Sequence, residues 1–429
     1  MTRPTDSHFF LIGVSVLLFQ RLGLTIGEGS VPVMVLALVV LAFGFFVSGE
    51  MAVQPMRLAL ILVVVVIGAI GLLLHPVNTS PASLSLAVAA WLPAVLMPAG
   101  ARPVGIRRQV KNPMNVDSLQ NLDLDARAFI TAIFWTMFCA SCAAIIQFVS
   151  SYAFGILIDP MAALPSWMAL PGFNSTYPVV WGGSWYRANG VIFLEASFMS
   201  LFAVFGLVLC WSGTLSLSTK RKIIVTTVFL VALLGSVATS GLVLVPLLIA
   251  ALSRTPLGRR VMAAVVLTAI AGASSFPPIL SFVSKALQNP LDTSGQVSVA
   301  SRIYRPYLDV LDLIQNSPWL GIGPGSSRAY VESLDVGVTT PTLMKVTVEY
   351  GVLGLLAFSL LWFSLIQASR LSYLLKLALL VALLVPTDGL TNSLLVPLFT
   401  WMLLLTARPQ SSAHVPATLS IGRKLKGSY

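Results

Sequence analysis

Long uninterrupted runs of apolar residues, parted by short stretches rich in Pro, Gly and basic residues, organise the chain. In order they are Phe9–Thr25, Val31–Val47, Leu58–Leu74, Leu84–Ala99, Ala128–Val149 and Gly190–Trp211, then Ile223–Val237, Gly241–Leu252, Val261–Phe276, Val348–Gln367, Leu371–Val385 and Asn392–Thr406. Runs of this length predict helices that cross a bilayer, about twelve in all. Gly241–Leu252 is below spanning length, so it either pairs with Ile223–Val237 as a tight hairpin around Ala238-Thr239-Ser240-Gly241 or merges with it into one kinked helix.

Composition agrees with the pattern. Of 429 residues, 57% are hydrophobic and 10% charged, against roughly 25% charged in soluble domains. A soluble core cannot hide that much apolar surface, and the predicted fold is an all-α, polytopic membrane protein forming one integral domain. Twelve spans of about 20 residues would take roughly 240 residues and leave room for one or two sizeable loops.

The 26 Lys and Arg outnumber the 15 Asp and Glu, for a net charge of +11. They are scattered through short loops, which speaks for membrane orientation and excludes a nucleic-acid partner. With twelve spans and both termini cytoplasmic, the inside loops collect Arg57; Arg102, Arg107, Arg108, Lys111 and Arg127; Lys220, Arg221 and Lys222; Arg254, Arg259 and Arg260; and Arg370. A basic tail, 407–429, follows. The outside loops hold Arg187, Lys285, Arg302, Arg305 and Arg328. Merging the two short spans would scatter this asymmetry, so the hairpin is preferred. Arg3 ahead of Phe9–Phe19 resembles a signal peptide, but without a small-residue cleavage site the segment reads as a retained first helix.

Two outer loops exceed the usual length of structureless connections. Ser150–Asn189 is rich in Trp, Pro and Gly and reads as a compact cap at headgroup level. Pro277–Thr347 contains Ser301–Ile314, with Ile303, Tyr307, Val310, Leu311 and Ile314 at helical spacing and Arg302, Arg305, Asp309 and Asp312 between them, the pattern of an interfacial amphipathic helix.

Candidate chemistry is sparse. Cys139 and Cys142 form a CxxC inside an apolar run, Cys210 stands alone, and all three read as small core residues with no metal site. His75 reads as a surface residue. Gly321-Ile322-Gly323-Pro324-Gly325 follows no strand and bears no Lys, so it reads as a close-packing turn, with its N–H groups as alternative anion donors. Arg187, Arg302 and Arg305 stand on the outer side against the usual bias; guanidinium groups there either grip phosphate oxygens bidentately or snorkel to lipid phosphates. Ionisable residues in spans are costly and usually functional. Glu195, five residues into the run that starts at Gly190, and Glu349, near the start of Val348–Gln367, are candidate general bases, with ion pairing to Arg187 or Lys345 as the structural alternative.

Taken together, Arg187-Ala-Asn-Gly190-Val-Ile-Phe193-Leu194-Glu195-Ala-Ser197, the later Ser301-Arg302, Asn316-Ser-Pro318-Trp-Leu-Gly321-Ile-Gly323-Pro-Gly325 and Val348-Glu349-Tyr350-Gly351-Val-Leu-Gly354 resemble the O-antigen polymerase and O-antigen ligase superfamily. The resemblance implies a GT-C-like fold and a metal-independent, cofactor-free glycosyltransferase at the periplasmic face of the bacterial inner membrane. Its donor would be a glycan on undecaprenyl pyrophosphate, held by Arg187, Arg302 and Arg305, with Glu195 on the acceptor side. Membrane lipids, a chain-length regulator and a flippase are the partners it implies. Ligases of this superfamily usually carry a His-Asn pair where this chain has Thr340 and Pro341, which favours a polymerase of O-antigen, capsule or exopolysaccharide over a ligase acting on a lipid A core. A transporter of lipid-linked oligosaccharide is the alternative of another class, with a scaffold role in polysaccharide secretion behind it; the absence of an internal repeat argues against the transporter.

Overall fold

A computed structural model describes residues 6–26, 29–99, 124–170, 176, 178, 185–238, 240–275, 315, 317–327, 342–384 and 394–407. Their backbone is mostly helical: α1 Asp6–Leu18, α2 Val33–Val47, α3 Pro55–Leu74, α4 Pro81–Trp91, α5 Leu124–Phe154 and α6 Ala196–Trp211, then α7 Thr219–Ser236, α8 Val245–Ser253, α9 Pro256–Ser275, α10 Thr342–Ala368, α11 Tyr373–Leu384 and α12 Leu395–Leu405. Each apolar run supplies one of these helices.

Their lengths depart from expectation. Pro55–Leu74, Ala126–Phe154 and Thr342–Ala368 are the three helices, among the described residues, long and apolar enough to cross a membrane. They stand in place of the twelve full-length spans that the pattern predicts. The difference arises because most runs are shared between a helix and what adjoins it. The first run gives Phe9–Leu18 to the 13-residue α1, then a 3₁₀ turn Phe19–Arg21 and the strand β1 (Gly23–Ile26). The fourth gives Leu84–Trp91 to the 11-residue α4, then a 3₁₀ turn Leu92–Val95 containing Pro93 and the strand β4 (Leu96–Pro98). Conversely, α5 extends the fifth run at both ends to 31 residues, so residues 150–154 of the expected outer loop are helical, as are the last six of 277–347.

The strands form two small antiparallel sheets of two strands each, which the periodicity did not predict. β1 pairs with β2 (Gly29–Pro32) between α1 and α2. β3 (Met51–Val53), which follows α2, pairs with β4 beyond α4. The two sheets therefore lie at opposite ends of α2 and define two ends of the bundle. The β3–β4 end is fastened by Arg57 in the first turn of α3. Its side chain, 2% exposed, donates to Leu96 O at 2.8 Å, Ser364 Oγ at 2.9 Å and Ser364 O at 3.2 Å. A charge that sequence placed in a loop is thus spent on carbonyls where helices end.

At the centre is α6, every residue of which is buried except Ser197 and Phe198, as befits a helix apolar on all sides. Around it pack α5, α7, α8 and α11. Gly206 admits the Phe229 ring of α7. The chain does break between α7 and α8: Val237 is left-handed (φ 45°) and a 3₁₀ turn, Ser240–Leu244, follows. α7 packs on α6 and α5, and α8 on α9 and α6, so the two do not close on one another as the tight hairpin expected. The outward face of the bundle is apolar too: Val40 and Phe43 on α2, Leu62 and Val66 on α3, and Leu356, Leu360 and Phe363 on α10 are exposed. Large apolar side chains exposed together on three helices suit contact with lipid. Cys139, expected in the core, is exposed on α5, whereas Cys210 is buried and all three thiols are free.

Two glycines separate close approach from idle freedom. A Cβ at Gly71 of α3 would lie 2.5 Å from the backbone of Gly323, while one at the exposed Gly44 of α2 would meet nothing within 4 Å. Gly71→Ala is expected to destabilise the protein by about 1–3 kcal/mol, and Gly44→Ala to stabilise it by up to about 1 kcal/mol. Thermal unfolding of both variants in detergent measures the contrast.

Candidate functional site

Arg187 and Glu195 border a short turn, not a helix. The expected helix start at Gly190 is corrected: Gly190 and Val191 both have φ of 68°, and α6 begins at Ala196 with Glu195 as its N-cap residue. Two interactions hold the turn open. Gln147 of α5 donates its amide to Asn189 Oδ1 at 3.0 Å and to Ile158 O at 2.9 Å, and its carbonyl accepts from the backbone N–H groups of Asn189 at 3.0 Å and Gly190 at 2.8 Å. Asn189 Oδ1 also accepts from Val191 N at 2.9 Å. Arg21, just beyond α1, donates to Val191 O at 2.7 Å and to Asp159 Oδ1 at 2.6 Å. Left-handed backbone at a β-branched residue costs of order 1–3 kcal/mol. Here the neighbouring bonds over-determine it.

The turn fixes both candidate side chains. Upstream, Ala188 N donates to Gly235 O at 3.0 Å, and the Ser151 hydroxyl exchanges hydrogen bonds with the Tyr186 backbone, so half-buried Arg187 projects from a segment tied on both sides. Downstream, the Glu195 carboxylate accepts from Ser197 Oγ at 3.0 Å at the positive end of the α6 dipole. It lies at the mouth of the helix, half-buried, and not a turn and a half inside it as the sequence pattern placed it.

Glu349 belongs to a second arrangement. At Gly351 (φ 63°, ψ −170°) α10 breaks, a conformation open essentially to glycine alone. The break frees carbonyls before it and N–H groups after it, and the segment Ser317–Ser327 takes up both. Ile322 N donates to Val348 O at 2.7 Å and Gly323 N to Glu349 O at 3.0 Å. Val352 N donates to Pro318 O at 2.9 Å and Leu353 N to Trp319 O at 3.2 Å. The same segment is joined to the start of α4 by Ser80 N donating to Pro324 O at 2.7 Å. Glu349 is 2% exposed and accepts from the Ser327 hydroxyl. Of the anion donors considered for the glycine turn, Gly321, Ile322 and Gly323 give their N–H groups to protein carbonyls, which leaves the close-packing role.

Both arrangements lie toward the end of the bundle away from Arg57. Arg21 follows α1 on the β1–β2 side, while Gly323 and Pro324 meet the C-terminal part of α3 and the start of α4. They rest on different elements, however: Glu195 on α6, which packs against α5, α7, α8 and α11, and Glu349 on α10, which packs chiefly on α3. Arg302, Arg305 and the amphipathic stretch 301–314 lie outside the described residues, as do Arg328, Thr340, Pro341 and the tail from 408. Among the described residues no three His, Cys, Asp or Glu side chains gather as a metal site would require.

Sequence reasoning missed the buried supports, Arg21, Gln147, Asp159 and Asn189. The one signal for them was polar character at the edge of, or inside, apolar runs, where such residues are retained for a partner. Compared with protein-family models and with curated proteins, the chain matches neither.

Two outcomes follow from this geometry. With its side chain 3% exposed, Asp159 leaves Arg21 a buried charge when it is replaced, so Asp159→Leu should cost about 3 kcal/mol, and the paired Arg21→Met/Asp159→Leu variant less than either Asp159→Leu or Arg21→Met alone. Denaturant titrations of the four proteins in detergent form the cycle. For Gly351→Ala, a Cβ would lie 2.3 Å from Trp319 backbone atoms; release of the 317–327 segment is expected, read as new protease cleavage there.

Proposed function

We propose that the chain is an integral membrane glycosyltransferase that polymerises lipid-linked oligosaccharide repeat units at the periplasmic face of the bacterial inner membrane. In this reading all twelve helices cross, the shorter ones completed by the 3₁₀ turns and short strands that adjoin them, in a GT-C-like bundle whose basic, Arg57-bearing end is cytoplasmic. The observation that carries the reading is the union of two segments of the superfamily resemblance. Ser317–Gly325 and Val348–Gly354 lie apart in sequence but form one hydrogen-bonded unit at the end that also holds Arg187 and Glu195.

The roles follow from placement. Arg187, with Arg302 and Arg305 from the long outer loop, holds the pyrophosphate of the undecaprenyl-linked donor and stabilises the charge it gains as the glycosidic bond breaks. Glu195, at the mouth of α6, takes the proton of the acceptor hydroxyl as that oxygen attacks the anomeric carbon. Glu349 is covered by the segment it helps to clamp, so it positions Ser317–Ser327 instead of meeting substrate. The break in α10 also has a counterpart in transporters, which use interrupted helices at the bilayer midplane. Here about 17 residues, some 25 Å of helix, follow the break, which puts it near one surface, where a lipid-borne pyrophosphate waits.

In cells carrying Arg187→Ala or Glu195→Gln, long polymer should fall by about 100-fold or more, the scale of losing one transition-state contact, with single lipid-linked units accumulating at the periplasmic face. Unchanged chain length at normal protein abundance removes these residues from the mechanism. Units held at the cytoplasmic face point to transport.

A further inference from the structure

The end of the bundle opposite Arg187 and Glu195 carries a charge pattern that polymerisation does not use. From Ala196 to Leu291 the chain contains no Asp or Glu. In that stretch Lys220, Arg221 and Lys222 lie in the first turn of α7, Arg254 ends α8, and Arg259 and Arg260 lie early in α9. Lys220, Arg221, Arg254, Arg259 and Arg260 are exposed. Lys222 is half-buried, with its ammonium 5.4 Å from the centre of the Trp211 ring.

The fold brings these cations to one level. Trp211, the last residue of α6, donates to Thr226 Oγ1 of α7 at 3.0 Å, so α7 starts where α6 stops. The 3₁₀ turn before α8 begins beside the upper part of α6, where Gly241 N donates to Ser200 Oγ at 3.0 Å. From there α8 follows α6 in the same direction and delivers Arg254, then the start of α9, to the level of Trp211.

No acidic residue within these helices balances the charge, and only the partial negative ends of α6 and α8 lie at the same level. The first turns of α7 and α9 hold no acidic residue, and the partial positive charge of a helix N-terminus opposes cations placed there. Such an arrangement is unfavourable alone and is relieved by an external anion. The flanking surface is apolar, with Ile223, Ile224 and Ile249 exposed beside the charges, so the anion must present phosphate at the edge of a hydrocarbon layer. We propose that this face binds anionic phospholipid headgroups, their phosphates meeting the exposed cations at the first turns of α7 and α9. The proposal rests on the helices lying in a bilayer and is independent of the reaction at the other end.

The test uses the full-length protein reconstituted into vesicles of phosphatidylethanolamine with phosphatidylglycerol or cardiolipin, re-extracted in neutral detergent, its retained lipid quantified by mass spectrometry. Wild-type protein should retain anionic over zwitterionic lipid by about ten-fold or more, falling as salt is raised. The combined Lys220→Gln, Arg221→Gln, Arg259→Gln and Arg260→Gln variant should lose that preference. Should it fail to fold, the two pairs, Lys220→Gln with Arg221→Gln and Arg259→Gln with Arg260→Gln, each serve alone, with a loss of about three-fold expected. Equal retention of the two lipid classes by the wild type overturns the proposal. So does an undiminished preference in a variant that unfolds at the wild-type temperature, an outcome that would leave the cations to an acidic protein segment. Polymer length is not read, so success or failure here does not bear on the glycosyl-transfer reading.

Discussion

Backbone polar groups among apolar side chains must find partners within the protein, and that requirement governs this molecule more than any single contact. A continuous helix meets it automatically. Wherever this chain leaves a helix, a specific device replaces the lost bonds: Arg57 at the entry to α3 and exit from α4, Gln147 at the turn before α6, and a whole segment of chain at the break in α10. Each is costly to arrange, and those at Gln147 and α10 surround a candidate functional residue. Irregular backbone at depth is tolerated where it builds something.

The buried polar side chains divide accordingly. Arg21, Gln147, Asp159 and Asn189 form a support around a strained turn and present Arg187 and Glu195 at its borders. Arg57 performs a purely architectural task at the other end. Charge segregation along the bundle follows the same division: basic residues crowd one end, while the carboxylates of Glu195 and Glu349 lie toward the other.

The positions of the helices could be read from hydropathy because an apolar run of a dozen residues has few alternatives to helix. Their ends could not. Val191 is left-handed because Gln147 and Arg21, distant in sequence, hold its neighbours, and no local signal announces that. Likewise Gly351 reads as an ordinary glycine in an apolar helix until the segment that fills the break is in view. Arg187 and Glu195 were legible as charges out of place, yet Glu195 was assigned to the interior of a helix it only caps, since the pattern continues apolar through Ile192-Phe193-Leu194. The two small sheets escaped prediction because their strands are three or four residues long and are continuous in hydropathy with the helices beside them.

The docking of Ser317–Ser327 into α10 also constrains how such a chain can change. Gly321 and Gly351 face one another across a gap with no room for a side chain on either, and the bonds from Pro318 to Gly323 match the break residue for residue. A lost or added residue in this short stretch would shift every pairing at once. Natural variants should therefore carry both glycines or have lost both together, and length differences should gather outside the lock and not within it.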